Sequence, residues 1–131
     1  MDQNPQQNNF QGLRTAIYPV PDLAKAKEWY ATTFGVQPYF EEPFYVGFSI
    51  GGYELGLIPE EGGSVPAEGG VVVYWGVPDA KAALDYLLIR GAREREGLQD
   101  VGGGIRLATV YDPWGNVLGI IENPFFKPEK I

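Results

Sequence analysis

Val20-Pro21-Asp22-Leu23-Ala24-Lys25-Ala26-Lys27-Glu28-Trp29-Tyr30 and, 57 residues later, Val77-Pro78-Asp79-Ala80-Lys81-Ala82-Ala83-Leu84-Asp85-Tyr86 are two versions of one passage. Each opens on a β-branched residue, stops at a proline, supplies an aspartate suited to cap a helix, and then spaces apolar side chains at helical intervals. At the same offset Ala26 meets Ala83, Glu28 meets Asp85 and Trp29 meets Tyr86. Agreement of this kind marks an internal repeat, each unit of which needs its copy to complete a core.

The flanks repeat too. Before the first Val-Pro-Asp, residues 13–20 carry β-branched and aromatic side chains with strand alternation, and residues 71–77 do the same before the second. The first helix presents Leu23, Ala26, Tyr30 and Phe34 as its apolar stripe and leaves through Gly35. The second presents Ala80, Ala83, Leu84, Leu87 and Leu88 and ends at Gly91. Three short strands follow the first helix, around residues 37–41, 45–50 and 53–58, with Gly51-Gly52 as a two-residue hairpin. Three more follow the second, around residues 92–96, 105–111 and 117–122. Gly102-Gly103-Gly104 and Asp112-Pro113-Trp114-Gly115-Asn116 form the turns between them. Residues 59–70, rich in Gly, Pro and Glu, read as a linker between the halves rather than a lid.

The expected class is α+β, two βαβββ modules forming curled mixed sheets around a cleft. One domain is expected over residues 12–126, with halves at about 13–60 and 70–124, a polar Gln/Asn-rich tail over 1–11 and a short tail over 127–131.

Composition narrows the chemistry. The chain has no cysteine and no histidine, which removes thiolate nucleophiles, disulfides and the commonest base and transition-metal ligand together. A net charge of −7 repels phosphate backbones, so nucleic acid is not an expected partner. No apolar run reaches the roughly 20 residues that span a bilayer, and no signal-peptide pattern opens the chain. No membrane partner and a cytoplasmic location are the expectations. The triple glycine lacks the strand-loop-helix context and the following Lys-Ser or Lys-Thr of a phosphate loop, and reads as a turn.

Val20-Pro21-Asp22-Leu23 through Trp29-Tyr30 and Phe34-Gly35, with Asp112-Pro113-Trp114-Gly115-Asn116 before the last strand, resemble the opening and closing motifs of vicinal-oxygen-chelate proteins, the glyoxalase and bleomycin-resistance superfamily. These landmarks cover about residues 13–123. The resemblance implies that the paired halves enclose a cleft holding the site. It also implies that metal-dependent members carry one ligand seven residues before each capping aspartate and another on the last strand of each half. Here those positions are Thr15, Val72 and Gly119, with Leu55 as the first-half counterpart of Gly119, or Glu54 if the register slips by one. Thr, Val, Leu and Gly are not a divalent cation's donors, so no metal and no cofactor is expected. Glu122, three residues beyond Gly119, falls on the opposite face of the strand.

The expected cleft residues are therefore Thr15, Ile17, Leu55, Val72, Tyr74, Arg106 and Gly119, with Arg106 as a partner for an anionic ligand group. Trp75 is assigned to the core, while Tyr74 is open to either role. Residues 39–45 place aromatics beside Glu41 and Glu42. That composition suits an organic cation, although an edge hairpin with a solvated acidic tip is the preferred reading. The leading function is a metal-free homodimeric protein binding a small organic molecule in an aromatic-lined cleft. The alternatives are a lactoylglutathione-lyase- or dioxygenase-like metalloenzyme with a displaced site at Glu54 and Glu122, and a dimerising domain without a ligand.

Overall fold

Asp22 and Asp79 cap their helices as the repeat requires. The Asp22 carboxylate accepts from the Lys25 backbone N–H at 3.0 Å, and that of Asp79 from the Ala82 N–H at 3.1 Å. Each satisfies a donor that the first helical turn leaves free. The computed structural model describes residues 11–60 and 71–125. Nearly all of the expected tails and of the linker lie outside the described residues.

The element order is β1 (Thr15–Val20), α1 (Leu23–Phe34), β2 (Phe40–Glu42), β3 (Tyr45–Ile50), β4 (Tyr53–Pro59), β5 (Tyr74–Gly76), α2 (Ala80–Ile89), β6 (Arg93–Asp100), β7 (Arg106–Tyr111) and β8 (Val117–Glu122). They form two four-stranded sheets ordered β1-β4-β3-β2 and β5-β8-β7-β6. In each sheet the strand before the helix runs parallel to the last strand of its module, and the other pairs are antiparallel. This is the expected pair of βαβββ modules with mixed, unclosed sheets. Gly51 and Gly52, at φ of 59° and 92°, make the β3–β4 hairpin, a pair of left-handed conformations that side-chain-bearing residues resist.

Four strands depart from their expected extents by more than a residue: β1 starts at Thr15 rather than residue 13, and β2 covers Phe40–Glu42 rather than residues 37–41, while β5 and β6 change more. β5 covers only Tyr74–Gly76, because its ladder with β8 begins where the Gly119 N–H reaches the Val73 carbonyl; Val71 beyond it is 92% exposed. β6 runs on to Asp100 through two register shifts. Its polar sequence has no apolar period to advertise it, and backbone pairing with β7 defines it instead.

Alternation separates a helix-covered face from an open one most plainly in β1, while β3, β4, β7 and β8 each bury three consecutive residues. In β1, Ala16, Tyr18 and Val20 are buried, whereas Thr15 and Ile17 are exposed. The buried residues of both halves join in a single cluster that includes Tyr30, Phe48, Leu57, Leu84, Val110 and Leu118. Repeat partners meet across the boundary: the Trp75 indole donates to the Tyr18 hydroxyl at 3.2 Å, 57 residues apart.

The Asp112 turn fastens the halves together. Its carboxylate, 1% exposed, accepts from the Tyr30 hydroxyl at 2.7 Å, from the backbone N–H groups of Trp114 and Asn116, and from the Asn116 amide. The same amide donates to the Pro19 carbonyl at 3.0 Å. A motif in the second half thus holds both α1 and β1 of the first. Burial and the Asp112 charge together push the Tyr30 hydroxyl well above its ordinary pKa, so it remains a donor.

Candidate functional site

Between the two halves, where β1 and β4 face β5 and β8, lies a cavity of about 690 Å³. Thr15, Tyr53 and Glu54 line it from the first half, and Tyr74, Trp75 and Ile121 from the second. Both walls come from one chain. The volume falls within the range of small-molecule pockets, and a mostly apolar lining with a few polar groups is their usual composition.

Among the described residues that line this cavity, Glu54 is the charged one. Thr15 and Glu54 are direct partners in the parallel β1–β4 ladder and share its open face. Glu54 Oε1 accepts from the Tyr45 hydroxyl at 2.6 Å, Oε2 from the Tyr39 hydroxyl at 2.5 Å, and the Thr15 hydroxyl also bonds the carboxylate. Partial burial acts to raise the Glu54 pKa, but the hydrogen bonds from Thr15, Tyr39 and Tyr45 outweigh it and hold the carboxyl below its ordinary value. Glu54 is therefore ionised at neutral pH. The two phenols shift the other way: the bond to Glu54 is the main cause for Tyr39, and burial followed by that bond for Tyr45.

Two strand glycines make the arrangement possible. A Cβ at Gly47 would stand 2.6 Å from Glu54 Oε2 and 3.1 Å from the Tyr39 ring, and one at Gly56 would overlap the Tyr45 phenol. Glycine inside a strand is the signal of such close approach, and it was available in the sequence. Tyr39, Tyr45 and Tyr53 were nevertheless not among the expected cleft residues.

The expected residues divide. Thr15 and Tyr74 do line the cavity. Ile17, 48% exposed, lies on the same open face without lining it, and half-buried Val72 precedes β5, where its neighbour Val73 lines the cavity instead. Gly119 is the ladder partner of Tyr74 and lies beneath its ring: a Cβ there would meet Tyr74 Cδ1 at 2.6 Å and the Val73 carbonyl oxygen at 2.8 Å.

Leu55 is a correction. It is 0% exposed in the core, and Glu54 faces the cleft in its place. A one-residue change of register exchanges the faces of a strand. Burying a leucine contributes about 1.5–3 kcal/mol, whereas burying an unpaired carboxylate costs several, so the core takes Leu55.

Arg106 is the second correction. It shares its strand face with Ala108 and Val110, both 0% exposed under α2, and its guanidinium pairs with Glu122 at 2.8 Å and Asp79 at 3.5 Å. Glu122 also accepts from the Ala80 N–H at 2.9 Å, and that bond, then Arg106, lowers its pKa. Both charges brace the start of α2. Glu41 pairs with Lys27 at 2.6 Å on the outside, so the acidic hairpin tip is the solvated one expected. The aromatics around it reach Glu54 instead.

The divalent ion implied by the resemblance does not fit these residues. Thr15, Val72 and Gly119 offer one hydroxyl, and Glu54 adds the single carboxylate. Among the described residues no group of three or more His, Cys, Asp or Glu side chains could hold a metal ion. A hard cation needs several anionic oxygens to replace its water shell.

Residues 12–120 match the family model described as glyoxalase/bleomycin resistance protein/dioxygenase superfamily. Among solved structures, a glyoxalase-related enzyme from Fulvimarina pelagi is similar at a TM-score of 0.74 and 19% identity, covering 92% of this chain and 94% of that one. A glyoxalase/bleomycin resistance protein/dioxygenase from Nocardioides aligns at 0.68 and 17% identity, covering 97% and 95%. Lactoylglutathione lyase from Agrobacterium tumefaciens aligns at 0.67 and 18%, covering 90% and 98%. These likenesses show a shared fold. No curated protein matches the sequence. With duplicated modules, capping aspartates and the Asp112 turn all in place, the chain belongs to the glyoxalase/bleomycin resistance protein/dioxygenase superfamily.

Proposed function

We propose that this protein binds a small organic molecule in the cleft between its two halves, without a divalent metal. The observation that carries this reading is the pairing of a pocket of about 690 Å³ with a donor set of one carboxylate and one threonine where a metal-dependent relative would need several strong ligands. Metal-assisted isomerisation or oxygenation requires an ion to polarise an oxygen. This cleft supplies aromatic surface and one fixed charge, which are means of binding.

The rival reading, a metalloenzyme with a site displaced onto Glu54 and Glu122, draws on the lactoylglutathione lyase among the similar folds. Its weakness is geometric. Glu122 is engaged with Ala80 and Arg106 on the helix side of its sheet, so the two carboxylates do not converge.

The reading extends to a homodimeric, cytoplasmic protein folded as one domain over residues 12–126. Exposed apolar side chains at Ile17, Phe40 and Phe44 support association. No helix among the described residues is long and apolar enough to cross a membrane. Elemental analysis of the purified protein, with a thermal-shift screen against small aromatic metabolites, cationic glycopeptides and the chlorides of nickel, zinc and manganese, tests the proposal. Stabilisation by organic compounds with no bound metal is expected. Stoichiometric metal, or no response to any organic compound, would overturn it.

A further inference from the structure

We propose that Glu54 makes the cleft selective for a small organic cation, an ammonium group carried on an apolar or aromatic body. The inference rests on the cleft-binding reading and adds the chemical class of the ligand.

Among the described residues no basic side chain pairs with Glu54 or lines the cavity. The groups that act on it are the hydroxyls of Thr15, Tyr39 and Tyr45 together with partial burial, and none of them is basic. Neutral donors orient the carboxylate and keep it ionised, but leave its charge intact. A carboxylate offers about four lone-pair directions, so three hydroxyls leave one unfilled. An ammonium group fills it with a charge-assisted hydrogen bond, while a neutral alcohol fills it with a weaker one and a carboxylate ligand is repelled.

The surrounding groups favour the same class. Tyr53, Tyr74 and Trp75 line the pocket, offering aromatic surface to the body of the ligand and to its cationic end. The net charge of −7 attracts cations over longer range. Arg106, the expected partner for an anion, is committed to Glu122 and Asp79 outside the cleft. A divalent metal is a poor competitor at one carboxylate. Because three hydroxyls fix Glu54, little side-chain ordering remains to oppose binding.

The test is titration of the ¹⁵N-labelled 131-residue chain at neutral pH with three probes that share a phenethyl body: phenethylammonium, 2-phenylethanol and 3-phenylpropionate. Chemical-shift changes at Thr15, Glu54 and Tyr74 report on the cleft. Phenethylammonium is expected to bind about ten- to a hundredfold more tightly than 2-phenylethanol, with 3-phenylpropionate weakest. Glu54→Gln should bring cation and alcohol to near parity, chiefly by weakening the cation, and Glu54→Asp should retain part of the preference. If Glu54→Gln does not fold, the ranking of the probes and its collapse at high salt in the wild-type chain decide the question. Equal affinity for cation and alcohol would overturn the inference while leaving cleft binding intact. Binding of none of the three would overturn the inference, while the wider screen of organic compounds decides cleft binding separately.

Discussion

Trp29 and Tyr86, repeat partners 57 residues apart, make the same bond in opposite directions: the Trp29 indole donates to the Arg90 carbonyl at 2.8 Å, and the Tyr86 hydroxyl to the Thr33 carbonyl at 2.9 Å. Thr33 and Arg90 are themselves repeat partners. Each helix therefore closes the end of the other through its own aromatic residue, an exchange that an approximate two-fold relation between the halves would produce. Carbonyls near a helix end lack intrahelical donors, and the repeat supplies them reciprocally.

Removing either donor should loosen the pairing of the halves. Tyr86→Phe is expected to destabilise by about 1 kcal/mol, the worth of one hydrogen bond. Trp29→Phe should lose about 2 kcal/mol, because it also gives up edge contacts with Tyr30 and Trp114. Urea unfolding at equilibrium measures both, and a neutral Tyr86→Phe would contradict a structural role for its hydroxyl.

The Asp112 hub should be more sensitive. Tyr30→Phe deletes a buried hydrogen bond to a charged group and is expected to cost about 1.5–3 kcal/mol. Asp112→Ala should exceed it, since it leaves the Tyr30, Trp114 and Asn116 donors without their acceptor. Thermal melts of the two variants give the order directly, and Asp112→Ala should be the lower.

Restoring a carboxylate at Gly119 is expected to fail. The new side chain would collide with the Tyr74 ring and the Val73 carbonyl, and overpacking of this kind costs about 1–3 kcal/mol. Gly119→Glu should melt lower than wild type and still show no stabilisation by added divalent cations in differential scanning fluorimetry. A metal-dependent rise in its melting temperature would show that glycine alone keeps an ion out.

Acid should weaken the fold through Glu54 and Glu122, whose folded-state pKa values both lie below the ordinary 4.5. A carboxylate lowered on folding contributes stability that is fully present above its unfolded value and disappears as pH falls through the folded one. Wild type should therefore lose its advantage over Glu54→Gln below about pH 4.5, while the difference stays level from there to neutrality. Melting both proteins from neutrality down through pH 4.5 into acid tests the sign: an advantage that grows in acid would mean that Glu54 is not held ionised by its hydroxyl partners.

Much of this fold was legible because its punctuation is local. An aspartate that caps a helix, a Gly-Gly hairpin and the Asp112 turn each act within a few residues, and their recurrence at one offset exposed the two modules. Elements whose definition comes from pairing were harder. β6 has a polar sequence and exists through its ladder with β7, and β5 is shorter than its apolar run because only part of that run meets β8. Within the site, Thr15 and Tyr74 followed from alternation. Glu54 enters the sequence reading through a slipped register and as half of a displaced metal site with Glu122, not as an expected cleft residue, because no local rule says which of two adjacent residues faces a cleft.

By itself the sequence determined the modules, their order, and the absence of histidine and cysteine, since composition and short-range backbone preferences need no partner to act. Only the tertiary structure decided that Leu55 belongs to the core and Glu54 to the cleft, that Arg106 braces α2, and that Tyr39 and Tyr45 converge on one carboxylate. Those outcomes depend on register and on contacts between distant strands, where the free energy of burying a leucine while leaving a charge in reach of hydroxyls is settled across the whole sheet.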